Sequence, residues 1–254
     1  MTTLKLETDK VFGSDGSGNQ KKIWVGNKLI KLNSKFREAS KEVSASILGK
    51  AFGLNIVEYS KGEYFYKGAK HIGCECNSYI MDGESTVPII DMINFYNINI
   101  PRNMSALEYF NITITCVSNY TGIRQDIIYN YMMQMLVFDY LICNTDRHLT
   151  NIEFIYNELV DEWRLVPLYD HGQSFLYRDG GLTNKQIESE LYKLKMKPFS
   201  SNPYKNLIDL EKAKEIATNY MLKVNSVYSS IDNIQMNDFH KKIVKIQFNR
   251  LMNR

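Results

Sequence analysis

The hydrophobic pattern opens with β-favouring runs and then changes to helical spacing. KLETDKVF (5–12) and KKIWVGNKLIKLN (21–33) are the first two runs, separated by the polar, glycine-rich GSDGSGNQ. Val43, Ile47, Leu48 and Ala51 then recur at helical spacing, which predicts a helix from Ser34 to Phe52 that stops at Gly53. Short strands are expected at Asn55–Tyr59, Glu63–Lys67 and Ile72–Asn77, and from about Val87 the pattern turns helical.

The clearest helix is RQDIIYNYMMQMLVFDYLIC (124–143), apolar on nearly all sides and therefore expected at the centre of its domain. It runs into a polar stretch, Asn144-Thr145-Asp146-Arg147-His148, before apolar residues resume at Ile152. A β-hairpin is predicted next: IEFIY, a turn over Asn157–Glu162, and WRLVPLY, which ends at Asp170-His171-Gly172. Beyond about Pro203 the chain reads as helical, and HKKIVKIQFNRLMNR forms a basic amphipathic helix whose charges face solvent.

This pattern describes an α+β protein of two lobes. A small β-rich lobe with one helix spans 1–80, and a larger helical lobe spans 81–254. The polar motifs fall where the lobes meet, and clefts of that kind are common ligand sites. Composition agrees: 44% hydrophobic and 23% charged residues in 254 suffice for a core. A net charge of +3 argues against direct nucleic-acid binding. The start, MTTLKLETDK, lacks the features of a signal peptide, and no stretch reaches the about 18 apolar residues of a membrane span, so a cytoplasmic protein is expected. Cys74 and Cys76 share a strand face as C-x-C, but no second Cys/His pair completes a metal site.

The chemistry lies in the polar interruption. Asp146 and Asn151 stand in a D-x-x-x-x-N spacing, and the hairpin carries Asp170 back to the same end. Phosphoryl transfer from ATP uses such a set: one carboxylate accepts the acceptor's proton, while an amide oxygen and a second carboxylate hold Mg²⁺. Upstream, Gly13-Ser14-Asp15-Gly16-Ser17-Gly18 is either a hairpin tip or a loop whose amides close over phosphates. It is not a P-loop, because Asn19 stands where that motif needs lysine. Lys31 on a strand needs an anionic partner if it faces inward, and Glu42 on the following helix can supply one. Arg147 braces the loop or contacts a phosphate, with bracing favoured. Asp139 anchors the loop or sits on the helix surface. A transition-metal site from Asp146, His148, Asp170 and His171 lacks any open-site motif.

NTDRHLTNI followed by PLYDHGQSF resembles the catalytic signature of HipA-like kinases. DRHLTN is also similar to the catalytic loop of phosphoinositide 3- and 4-kinases. The resemblance implies a two-lobed, protein-kinase-like fold binding ATP and Mg²⁺. It implies Asp146 as catalytic base with Lys31 and Arg147 beside it, and Asn151 and Asp170 as metal ligands. Nucleotide contacts are expected from the Gly13–Gly18 loop, Lys31, Glu42 and His148. The segment Gly73–Tyr79, including Cys74 and Cys76, is expected to pass the adenine as the interlobe connection. The implied activity is transfer of the γ-phosphate to Ser or Thr of a protein, including itself, with a small antitoxin or regulatory protein as a further partner. A lipid or small-molecule hydroxyl is the alternative acceptor, and a nucleotide-binding regulatory module without turnover is the alternative of another class.

Overall fold

The computed structural model describes residues 4–5, 20–34, 37–98, 104–176, 182–194 and 224–251. The glycine-rich loop at 13–18 and the segment following Leu194 lie outside them.

The small lobe is a five-stranded sheet: β1 (Leu4–Lys5), β2 (Lys21–Val25), β3 (Lys28–Leu32), β4 (Ser60–Tyr66) and β5 (Ala69–Asn77), in the order β1-β4-β5-β3-β2. Two-residue turns close its hairpins. Lys67 and Gly68 take φ of 48° and 80°, the left-handed pair such a turn needs. On the face away from the cleft, Gly62 pairs with Gly73 and leaves room for the Tyr64 ring. A Cβ at Gly73 would meet the Lys31 carbonyl at 2.5 Å and that ring at 3.1 Å.

Helix α1 (Glu38–Ala51) covers the opposite face. It begins at Glu38, where the spacing predicts Ser34: Arg37 before it lies in the left-handed region, φ 57°, and polar side chains bond across its start. Asn33 Oδ1 accepts from the Ala39 N–H at 2.7 Å, and the Ser34 N–H donates to Glu38 Oε2 at 2.9 Å. The strand expected at Asn55–Tyr59 is instead a single bridge from Ile56 to Leu168. The Val57 N–H donates to the Leu168 carbonyl at 2.9 Å, and the Leu168 N–H to the Asn55 carbonyl at 2.8 Å. This segment finds its partner in the other lobe rather than in its own sheet.

The large lobe holds α2 (Ile89–Phe95), α3 (Ala106–Thr121), α4 (Gln125–Ile142), α5 (Asn184–Lys193), α6 (Val224–Ser230) and α7 (Asp238–Leu251). The predicted hairpin is present as β7 (Glu153–Asn157) and β8 (Glu162–Leu165). A third strand, β6 (Glu84–Pro88), joins it where helical pattern was expected to begin, with Val87 opposite Phe154. A five-residue run ending in proline carries no periodicity, and its pairing with β7 decides its form.

Helix α4 is the spine of the core. From Tyr131 to Ile142 all but Gln134 are buried, Asp139 included. The core also crosses between lobes. Leu48, Phe52, Leu54 and Ile56 belong to the same apolar cluster as α4, and Phe52 meets Phe138 edge-on at 6.2 Å. A Cβ at Gly49 would lie 2.6 Å from Ile56, so only glycine lets α1 pack this closely.

His240 on α7 completes the contact. Its Nδ1 lies 2.8 Å from Ser44 Oγ on α1, and its ring stacks on Phe175 at 4.2 Å. Burial, aided by Lys41, pushes its pKa down to about 3. Unfolded histidine titrates near about 6.5, so below that pH the unfolded chain takes up a proton the folded one refuses. Stability from His240 is therefore complete above that value and lost as pH falls towards 3. Between pH 7 and 5 the loss should be about 2 kcal/mol. Urea unfolding at the two pH values checks this: His240→Gln should show a drop smaller by that amount, and an equal drop would refute it.

Candidate active site

Strand β3 turns Lys31 towards the cleft, where it is buried. Its Nζ lies 2.6 Å from Glu42 Oε1 on α1 and 3.2 Å from Asp170 Oδ1. It also sits over the Tyr59 ring at 5.0 Å. Burial works against the ammonium, but Asp170 and Glu42 more than offset it and hold its pKa well above the usual value. Glu42 is shared further: its Oε2 accepts from the His171 N–H at 2.9 Å. Gly172 allows the segment to lie this close, since a Cβ there would fall 3.2 Å from that of Glu38. One helix carboxylate thus fixes both the lysine and the turn bearing Asp170.

Lys22, which the sequence reading did not single out, lies opposite Lys31 in the β2–β3 register and shares its face. Burial raises the Asp170 carboxyl, but Lys31, Lys22 and Arg147 outweigh it and hold the group well below the usual carboxylate range. The signal was the alternation in KKIWV, readable only once the register with β3 is known.

The second framework is built around Arg147. Helix α4 ends with Cys143 in the left-handed region, φ 56°, which turns the chain into the loop. Asn144 Nδ2 donates to Asp139 Oδ1 at 2.8 Å. Arg147 is buried and donates to Asp139 through Nε at 2.8 Å and through Nη2 at 3.2 Å. Its Nη1 reaches the carbonyls of Asn151 at 3.2 Å and Tyr169 at 2.8 Å. Arg147 is therefore a positioning residue: it ties α4, the loop and the residue before Asp170 together. Asp139 is the anchor, not a surface residue.

Asp146 receives bonds from three sides. Its N–H donates to Asn144 Oδ1 at 3.2 Å, its carbonyl accepts from Asn151 Nδ2 at 3.1 Å, and its Oδ2 accepts from Gln173 Nε2. Burial raises its carboxyl pKa, with Asp170 adding to the rise and His148 and Arg147 opposing it. With its nitrogen committed to Asp146, the Asn151 amide turns its oxygen to the other side. His148 bonds through Nδ1 to Thr150 Oγ1 beside the loop. His171 is buried edge-on to Phe138 at 5.4 Å, and burial together with Arg147 pushes its pKa well down. Among the described residues, no group of three or more His, Cys, Asp and Glu side chains is placed to hold a metal ion.

Cys74 and Cys76 face the same way as Lys31 and Leu29 in the β3–β5 register. They are buried with Ala39, Val57 and Tyr59, and burial raises both thiols. Strand β5 pairs with β3 through Asn77, so the interlobe connection is Ser78–Gly83 and only Ser78 and Tyr79 of the expected segment belong to it.

Comparison with known proteins decides the family. The model described as the HipA-like C-terminal domain matches residues 16–237. The chain belongs to the HipA-like family. A search of curated proteins finds no match. Among solved structures, the Helicobacter pylori proinflammatory kinase CtkA is 18% identical with a TM-score of 0.66, over 98% of this chain and 94% of that one. HipA of Shewanella oneidensis, solved with HipB and operator DNA, is 12% identical with a TM-score of 0.54, over 98% of this chain and 67% of that one. These likenesses establish the two-lobed HipA-like fold, and the family supports a kinase-type function.

In this HipA-like chain Arg147 and Asp139 form a buried pair whose partners are all internal. Replacing Arg147 by Met leaves the Asp139 carboxylate in the core without its cation and should cost about 3–5 kcal/mol. Urea unfolding of Arg147→Met reads this directly, and a loss below about 1 kcal/mol, the worth of a surface pair, would contradict it.

Proposed function

We propose that the protein is a Mg-ATP-dependent kinase that transfers the γ-phosphate to a hydroxyl, with Ser or Thr of a protein as acceptor. The observation that carries this reading is Lys31 Nζ held between Glu42 and Asp170. Two carboxylates against one ammonium leave a surplus negative charge, and Asp170 is the more exposed of the two. A surplus on hard oxygens suits a divalent cation better than a further lysine.

Asn151 and Asp170 would hold Mg²⁺, which would supply positive charge to offset the negative charge that develops on the phosphate oxygens. Lys31 orients the phosphates. It does so without reorganising, because Glu42 already holds it in place. Asp146 positions the acceptor hydroxyl and takes its proton, and its raised pKa suits a base better than a fully solvated carboxylate would. The Gln173 bond fixes its orientation. Residues 1–80 cover the nucleotide and 81–254 carry the catalytic loop. The glycine-rich loop, His148 and the wall near Cys74 and Cys76 complete the nucleotide contacts.

A cytoplasmic site of action and a small antitoxin or regulatory protein as partner fit the family. The HipA structure is a complex with HipB. No helix among the described residues is long and apolar enough to cross a membrane.

Labelled ATP with Mg²⁺, offered with the protein alone, with a mixture of protein substrates and with lipid vesicles, tests this. Label should appear on protein Ser or Thr. Asp146→Ala should lower the rate by about 10²–10⁴-fold while ATP still binds. Label on lipid alone would move the acceptor to the lipid class. ATP binding with no transfer to any acceptor would make the protein a binding module.

A further inference from the structure

The outer face of the small-lobe sheet, opposite the one that bears Lys31, carries a second concave site. Leu32 follows Lys31 on β3 and so points the other way. In the sheet register Lys21 pairs with Leu32, Leu32 with Gly73, His71 with Tyr64 and Tyr66 with Ala69. All of these stand on the face of the Tyr64 ring, and with Asn33 and Lys67 they line an open cavity of about 430 Å³.

The polar groups of this cavity are donors. Lys21 Nζ lies 4.4 Å and Lys67 Nζ 5.7 Å from the centroid of the buried Tyr66 ring, and the His71 ring stands edge-on to it at 6.2 Å. Asn33 has committed its Oδ1 to the Ala39 N–H at 2.7 Å, which leaves its Nδ2 to donate. An imidazole carries an N–H in either neutral tautomer. Among the described residues no acidic side chain lines the cavity. Glu75 on the same face is engaged by Lys28 at 2.7 Å and by the Tyr64 hydroxyl at 3.1 Å. Lys70 on the same hairpin pairs with Glu63 at 2.8 Å, whereas among the described residues neither Lys21 nor Lys67 has an ion-pair partner.

Two ammonium groups gathered on one ring repel each other, since they stand within about a Debye length. An anion between them removes that repulsion. A carboxylate brings one negative charge; a phosphate monoester brings about 1.5 to 2 at neutral pH, with three acceptor oxygens for the donors present. Leu32 and Ala69 add an apolar wall beside the lysines, and cavities of a few hundred Å³ take small organic ligands.

We propose that this cavity is an anion site, separate from the nucleotide cleft, that binds a phosphate monoester. Lys21 and Lys67 hold the phosphate, and the wall of Leu32 and Ala69 meets the carbon part of the ester. The inference does not rest on the kinase reading, because β3 places this cavity and Lys31 on opposite faces of the sheet.

Phosphorus NMR titration of the full chain with O-phosphoserine, glycerol 3-phosphate or inorganic phosphate tests it. One of the esters should bind about threefold or more tightly than inorganic phosphate, the worth of burying about one methylene. The ester that binds better identifies the kind of carrier. The double variant Lys21→Gln/Lys67→Gln should weaken binding about tenfold or more. Lys50→Gln/Lys70→Gln removes two other exposed lysines, both paired with glutamates, and should change it less than about twofold. Mg²⁺ with a non-hydrolysable ATP analogue should leave the ester bound. Displacement by that analogue would assign the anion to the cleft and overturn the inference. So would a wild type that binds none of the three, equal affinity for all three, or unchanged binding in Lys21→Gln/Lys67→Gln.

Discussion

A lysine ammonium buried away from water must be neutralised where it stands, and in this protein two carboxylates from distant parts of the chain do so. Glu42 comes from α1 in the small lobe and Asp170 from the turn after the hairpin in the large one. Neither carboxylate can move far without leaving a charge in a low-dielectric interior. Their separation therefore governs how the lobes sit. Several other features serve that closeness. Gly172 lets the turn approach α1, Gly49 lets α1 approach Ile56, and the Ile56–Leu168 bridge joins the segments that follow and precede the site.

Arg147 does for the loop from Asn144 to Asn151 what Glu42 does for the lysine. Its guanidinium is a rigid fork, so one side chain reaches Asp139, the loop's end at Asn151 and the carbonyl of Tyr169 at once. The loop is polar yet buried at its root because its charges are satisfied internally. What remains turned outward, Asp146, Asn151 and part of Asp170, is the set proposed to act on the ligand. The helix beneath is apolar on nearly every side because it carries this assembly through the core.

Much of the site was legible in the chain because local spacing encodes it. The five-residue interval from Asp146 to Asn151, the hairpin that returns Asp170, and the lysine–glutamate pair across β3 and α1 all follow from periodicity and residue type. What was not legible depends on long-range pairing. The late start of α1 rests on the Asn33 side chain, which caps the Ala39 N–H, and on the Glu38 side chain, which reaches back to the Ser34 N–H. The form of Asn55–Tyr59 rests on a partner 112 positions away at Leu168. Strand β6 exists because β7 accepts it. Lys22 bears on the cleft only once the β2–β3 register is known, since it lies in no motif.

The carboxylate surplus beside Lys31 is proposed to hold a divalent cation together with a nucleotide. Electron paramagnetic resonance of Mn²⁺, titrated with the protein and a non-hydrolysable ATP analogue, addresses it directly. Bound Mn²⁺ should appear in the wild type only when nucleotide is present, and Asp170→Asn should weaken it about tenfold or more. Equal Mn²⁺ binding by the wild type and Asp170→Asn would show that Asp170 does not hold the cation.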